Sequence, residues 1–382
     1  MSIFSPPVAL DPEIDARLNR HAVAAVGVSG GKDSVVAALA TARHLDEIGH
    51  RGPRLLIHAD LGSIEWRDSL PACERLAAHL GWPLVVVRRE KGDMVARWHE
   101  RWAANVARYQ NLERLKLVLP WSTPDARFCT SELKTAPIYQ WLCNEFPGQE
   151  IVSVTGIRRQ ESRDRANKPV ANAEPKLERK RTGTTGWTWN PVSDWSVQDV
   201  WHEVHASGVI PHVGYTDFGM SRISCCFCIM SNIADLRASV SNDEHLDVFR
   251  ELVDLELDST FSFHSGRWLA DIAPERLLDD QLLRLPGRKE AAERRQKAEA
   301  LVPKYLSLTD GWPTALPTPE EAELLAGVRA EVFAAVGIDP RYVTAETVFG
   351  RYRELMDQKS AKDNGPRGSM RTARTESRLE AA

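Results

Sequence analysis

The sequence holds no uncharged apolar run of the ~20 residues that a membrane-spanning helix requires, which removes a transmembrane assignment and a membrane partner. Its first residues, Met1-Ser2-Ile3-Phe4-Ser5-Pro6-Pro7, lack the basic segment and apolar core of a secretory signal. A cytoplasmic protein is therefore expected. Positive charge is not in excess: 49 Lys and Arg stand against 53 Asp and Glu, a formal net charge of −4. No global basic field draws nucleic acid, so any such contact must come from a local patch. Cysteine is scarce, with six in 382 residues. In a reducing compartment those thiols are expected to serve a metal or a reaction rather than disulfides. No internal repeat is evident. The remainder is ordinary globular composition, 43% hydrophobic and 27% charged, in a chain long enough for two domains or one large domain with an extension.

The first half alternates strand and helix patterns. Val23–Val28 reads as a buried strand, followed by an alanine-rich helical stretch from Val35. Further strands are expected at Arg54–Ala59, Leu84–Val87 and Glu150–Thr155, with helices over about 66–80, 93–109 and 131–146. Repeated βα units imply a doubly wound, mostly parallel α/β sheet whose ligand lies at the carboxyl ends of the strands. From Arg158 to Thr185 the chain turns basic, with nine Lys and Arg against four acids. This segment is expected to be a mobile loop across the strand ends, either a solvated surface or a binding loop for a polyanion. Beyond residue 233 the pattern is helical. Thr318-Pro319-Glu320-Glu321 opens one helix with a capping box, and Thr344 starts another. The expected organisation is an N-terminal extension (1–19), the α/β domain with its cysteines (20–232), a helical C-terminal region (233–358) and a disordered basic tail (359–382).

Two motifs carry chemistry. Ser29-Gly30-Gly31-Lys32-Asp33-Ser34 joins a buried strand to a helix. Two glycines allow a tight turn whose N–H groups face one point, and the helix N-terminus adds partial positive charge. The turn suits a phosphate or pyrophosphate, with Lys32 as a point charge beside it, and its spacing is not the Walker pattern. The alternative is an ordinary strand–turn–helix corner. Cys225-Cys226-Phe227-Cys228 sets a C-x-x-C pair within reach of one metal centre, with Cys226 as a third candidate. Two thiolates close neither a zinc site nor a cubane, so a partner is needed, and Cys129 is the candidate. Cys73 and Cys143 sit among apolar neighbours in helical patterns and read as core thiols. His58 reads as a packed or surface histidine. Of the twelve tryptophans, only Trp187, Trp189 and Trp195, beside the basic segment, are candidates for substrate contact.

The Ser29–Ser34 run resembles the SGGxDS signature of the PP-loop ATP pyrophosphatases. Three further segments resemble the PAPS-reductase-like members of that family: Cys129-Thr130-x-x-Leu133-Lys134-x-x-Pro137, Gly156-x-Arg158-x-x-Glu161-Ser162-x-x-Arg165, and Pro191-Val192-x-Asp194-Trp195 leading to Asp199-Val200-Trp201. The likeness covers about residues 20 to 232 and implies an adenine nucleotide α-hydrolase-like fold. It implies ATP cleavage to AMP and pyrophosphate, with ATP held by Ser29, Gly30, Gly31, Lys32, Asp33, Ser34, Asp60, Gly62, Gly156 and Arg158. Lys32, Asp33 and Arg158 are the expected catalytic groups, and Asp33 the expected Mg²⁺ contact. Lys134, Arg165, Arg179, Lys180 and Arg181 are the expected anion contacts for substrate.

The departures from the family are equally informative. Cluster-bearing sulfonucleotide reductases pair two adjacent cysteines with a later C-x-x-C, but position 128 is phenylalanine here, and no cysteine follows Cys228 to act as their nucleophile. The resemblance then points to the iron–sulfur members that modify DNA or tRNA. In that reading Cys129, Cys225 and Cys228 hold a [4Fe–4S] cluster with one open iron, or Cys226 supplies a fourth ligand. Zinc is the alternative metal. A nucleic-acid acceptor would be adenylated and then attacked by sulfur delivered by a cysteine desulfurase or other donor. Sulfonucleotide reduction and a nucleotide-binding subunit of a larger modification or defence complex are the competing readings.

Overall fold

In the computed structural model, residues 6–309 and 311–363 are described. Valine- and alanine-rich stretches form the strands: β1 (Val23–Val28), β2 (Arg54–Asp60), β3 (Leu84–Arg88), β4 (Glu150–Val154), β5 (Ala171–Ala173) and β6 (Thr185–Trp189). They make one sheet in the order β3-β2-β1-β4-β6-β5. Every neighbouring pair is parallel except β5 with β6. The chain winds outward from β1 to β3 and then returns to lay β4 on the other side of β1. That reversal opens a crevice beyond the carboxyl ends of β1 and β4. Both sheet faces are covered: Val26, Val36, Val152 and Trp189 pack on one, and Ala25, Ile57, Leu142 and Ile151 on the other.

Local signals set the elements. The Ser196–Asp199 and Thr318–Glu321 capping boxes are both formed, and Gly337 closes its helix in the left-handed region. The expected helix at 66–80 starts later, at Ser69, because Trp66 is buried and a short 3₁₀ turn at Gly62–Ile64 precedes it. The expected helix at 131–146 is continuous α only over Ala136–Glu145, after a π-helical turn at Ser131–Thr135. Pro137 has no N–H to donate back along that turn, which loosens the ladder where Cys129 and Lys134 sit.

The basic segment is not a loop across the strand ends. It holds a short helix, Arg163–Ala166, and β5, and it turns into β6, which sequence reading did not identify. Alternating Trp187 and Trp189 with β-branched threonines is the signal that was available for β6.

Two compact units result: Met1–Arg97 with Ser122–Glu251, and Trp98–Trp121 with Leu252–Ala382. The division thus falls after residue 251 rather than 232, and a segment from the first half belongs to the second unit. Residues 12–19 are a helix whose Ile14 and Leu18 are buried in the first unit's core, so they are part of it rather than an extension. The second unit packs Tyr109, Leu112, Val332, Phe333 and Tyr352 together. Its buried Arg329 donates to the carbonyls of Tyr109 (2.9 Å) and Arg341 (2.7 Å). The last helix runs to Asp363, past the expected start of the tail. The rest of the expected tail, 364–382, lies outside the described residues. Among the described residues no helix is long and apolar enough to cross a membrane.

Candidate active site

The turn after β1 is built on two glycines with different duties. Gly30 has φ +74°, and a Cβ there would lie 3.0 Å from the His212 ring and 3.1 Å from the Ser69 carbonyl, so conformation and space both demand glycine. Gly31 is extended (φ −76°), and a Cβ there meets only ordinary contacts, the nearest 3.4 Å away. The Ser34 hydroxyl braces the turn, donating to the Gly31 carbonyl (2.8 Å) and accepting from the Ser29 N–H (3.3 Å). From the other side of the crevice, Gly156 follows β4 so closely that a Cβ would stand 2.3 Å from the Asp33 carbonyl oxygen.

The charged groups of the turn are mutually engaged. Arg158 is buried, and its Nε donates to Asp33 Oδ1 at 2.6 Å. Lys32, also buried, sets Nζ 3.4 Å from Asp33 Oδ2 and donates to the Ser221 carbonyl at 3.2 Å. Asp33, the expected Mg²⁺ contact, therefore has a cation near each oxygen. Tyr215 joins the turn to the cysteine segment, its hydroxyl accepting from the N–H groups of Lys32 (3.1 Å) and Ile223 (3.2 Å).

A cavity of about 350 Å³ lies in the crevice and is lined by Ser29, Gly31, Asp33, Ser34 and Gly156 together with Cys129, Cys225, Cys228 and Lys134. Residues separated by a hundred positions thus face one space. Burial pushes the Cys225 thiol up to about 12, against the pull of Lys134. Burial also opposes the charge on Lys134, but Cys225, Glu65, Cys228 and Cys129 hold its pKa above the ordinary lysine value. Arg222 sets a guanidinium nitrogen 3.8 Å from Cys228 Sγ.

Among the described residues no three Cys, His, Asp or Glu side chains gather closely enough for a single metal ion. A cubane takes each thiolate on a separate iron, and Cys129, Cys225 and Cys228, which line the same cavity, are the donors the site offers to one. Cys226 does not join them. It is fully buried, and its thiol donates to the Ile64 carbonyl at 3.0 Å. Cys73 and Cys143 are buried elsewhere, as core thiols.

Several expected contacts lie away from the cavity. Asp60 accepts from the Gly62 N–H (2.7 Å) and pairs with Arg88; neither Asp60 nor Gly62 lines the cavity. Arg165 lines it, paired with Glu161. Arg179, Lys180 and Arg181 do not, because their turn precedes the first residue of β6, which pairs with the first residue of β4. They therefore sit at the amino end of the sheet, a strand length from the crevice. Trp189 and Trp195 are buried, donating to the Ala9 and Pro7 carbonyls, and Trp187 packs under Arg17, so none of the three faces the cavity. His58 is packed, with its ring nitrogens on the Val28 carbonyl (3.0 Å) and Glu65 (3.1 Å).

Sequence reading missed Glu65, Arg127 and Arg222 as residues of the site, whereas Tyr215 falls in a segment, Gly208 to Tyr215, that resembles a further stretch of the family pattern. Arg127 and Arg222 stand two and three residues before cysteines already singled out, which was the available signal. Glu65 had none.

Residues 23–230 match the phosphoadenosine phosphosulfate reductase domain family. A solved phosphate complex of phosphoadenylyl-sulfate reductase from Candida auris aligns with 58% of this chain and 98% of its own, at 14% identity and a TM-score of 0.34. No curated protein matches the sequence.

Proposed function

Because the chain belongs to the phosphoadenosine phosphosulfate reductase domain family, matching it over residues 23–230, we propose that it is an ATP pyrophosphatase that adenylates an acceptor for sulfur transfer. The observation behind this reading is the shared cavity: the glycine turn and three cysteines line the same space. In the proposed reaction an acceptor oxygen attacks the α-phosphorus of ATP and pyrophosphate leaves. A sulfur nucleophile then displaces AMP. The Ser29–Ser34 turn holds the departing pyrophosphate at a helix N-terminus, and Arg127, Arg165 and Arg222 neutralise charge along the cavity wall. Lys32 is positioned to exchange the Ser221 carbonyl for a phosphate oxygen. Mg²⁺ bound with the polyphosphate would neutralise its charge beside Asp33, whose oxygens also lie against Arg158 and Lys32. A [4Fe–4S] cluster held by Cys129, Cys225 and Cys228 would supply the sulfur nucleophile. Lys134 sets a buried positive charge among those thiols and steadies their anionic form.

The acceptor in this reading is nucleic acid, DNA or tRNA, whose phosphate and base oxygens are poor leaving groups without adenylation. Anaerobically purified protein should contain iron and acid-labile sulfide in equal amounts. It should release pyrophosphate and AMP from ATP when a duplex DNA or tRNA pool is added. Release of ADP, or zinc in place of iron, would overturn the reading. The family match favours one second reading, sulfonucleotide reduction with a dithiol supplied from outside. Sulfite release from 3′-phosphoadenylyl sulfate, without ATP cleavage, would establish that one instead.

A further inference from the structure

The second unit contains a cavity of about 620 Å³ lined by Arg108, Arg114 and Lys116. Its other walls come from Leu115, Val118, Val302 and Leu308 together with Ser307, and Gly311 lies at one side. A single acid, Glu113, lies in this lining, 3.6 Å from Arg108. Two guanidiniums and an ammonium thus share one concave surface with one carboxylate.

Glu113 pairs with Arg108, and the three cations outnumber the one acid of the lining. The Arg114 Nε is buried and has no hydrogen-bond partner among the described residues. Burial, then the neighbouring Arg108, hold its pKa below the ordinary arginine value. The segment that carries them is anchored. The Leu117 N–H donates to buried Glu299 at 2.7 Å, and Glu299 is already paired with Arg295 at 2.8 Å. Arg101 and Asn105 hold the carbonyls of Leu119 and Val118. Gly311 admits the Arg108 guanidinium to the wall, since a Cβ there would come 3.1 Å from it. Keeping like charges together on a fixed backbone costs free energy unless an anion completes the arrangement. Arginine forks match phosphate oxygens two at a time.

We propose that this cavity is a binding site for an organic phosphate. The phosphate group would sit on Arg108, Arg114 and Lys116, and an apolar or aromatic body would lie against Leu115, Val302 and Leu308. The size suits one nucleotide, free or as a unit of a strand. The proposal does not depend on the reaction assigned to the first unit, because no residue of that site takes part.

The test is modification of arginines by phenylglyoxal, read peptide by peptide by mass spectrometry, so that binding at the Ser29 turn is not mistaken for binding here. Inorganic phosphate, AMP and a short single-stranded DNA serve as probes. AMP should protect Arg108 and Arg114 several-fold, at lower concentration than inorganic phosphate. If the strand protects better than AMP, with a steep salt dependence, the nucleotide is recognised as part of a polymer. Arg114→Gln should weaken protection of Arg108 by roughly tenfold or more. The control, Lys297→Gln at an exposed site of the same unit, should not change it. Failure of all three probes to protect Arg114, or unchanged protection in Arg114→Gln, overturns the proposal.

Discussion

At the scale of single residues, the crevice depends on positions where one atom decides the outcome. Gly156→Ala would drive a methyl group to 2.3 Å from the Asp33 backbone, which cannot be relieved without parting β4 from the turn. Gly31→Ala meets only ordinary contacts. Gly156→Ala should therefore abolish pyrophosphate release while Gly31→Ala retains the fold, as activity and thermal unfolding would show. The cysteines divide in the same manner. Serine at Cys129, Cys225 or Cys228 should remove iron-dependent absorbance, whereas serine at Cys226, whose thiol donates to the Ile64 carbonyl, should leave it. His58 gives a pH signature. Burial works against its charge, but Cys73 and Glu65 raise its pKa to about 10. With a higher pKa folded than unfolded, its contribution to stability is complete below about 6.5 and is lost as pH rises through about 10. Melting temperatures of wild type and His58→Gln should therefore converge across that interval.

At the scale of elements, the parts brought together are the turn after β1, the end of β4, the π-helical turn near Cys129 and the segment from Ser221 to Cys228. Tyr215 and Lys32 connect the first of these to the last. Tyr215→Phe would leave two backbone N–H groups without an acceptor, at about 1–3 kcal/mol each. The variant should unfold at lower temperature, and iodoacetamide should reach Cys225 faster. The strands and the glycine turn were legible because buried parallel strands read as short apolar runs, and Gly-Gly before an alanine-rich helix has few other uses. That Cys225 and Cys228 face one space was legible from their spacing, and Cys129, which lines the same cavity, from the need for a further thiol. Tyr215 was legible as part of a motif but its bracing role was not, because accepting two backbone donors leaves no sequence signature. Nor was the fate of Arg158 to Thr185: composition reads its charge but not that its last residues pair with β4.

At the scale of the whole chain, charge is distributed to opposite ends of one sheet, and that distribution yields a decisive comparison. Arg127, Lys134, Arg165 and Arg222 line the crevice at the carboxyl ends of the strands, facing Asp33, Glu65 and Glu161. Arg179, Lys180 and Arg181 stand at the amino end, beside the start of β4, with Lys176 in the turn just before them. In sequence Arg165 reads as part of the same basic tract as the second group, and only the course of the chain into β6 separates them. A polyanion that reacts at the crevice passes the first group and need not touch the second. Arg127→Gln with Arg165→Gln should therefore raise the acceptor's KM for pyrophosphate release by roughly tenfold or more, one charge-assisted contact being worth about 1.5–3 kcal/mol. It should also flatten the dependence of binding on salt, since fewer counterions are released. Alanine at Lys176, Arg179, Lys180 and Arg181 together should leave both quantities within about twofold of wild type, the usual reach of distant surface charges. Measured with duplex DNA and with tRNA at low and high salt, the opposite pattern would mean that the acceptor is held from the amino end of the sheet. The arginines of the crevice would then serve ATP alone.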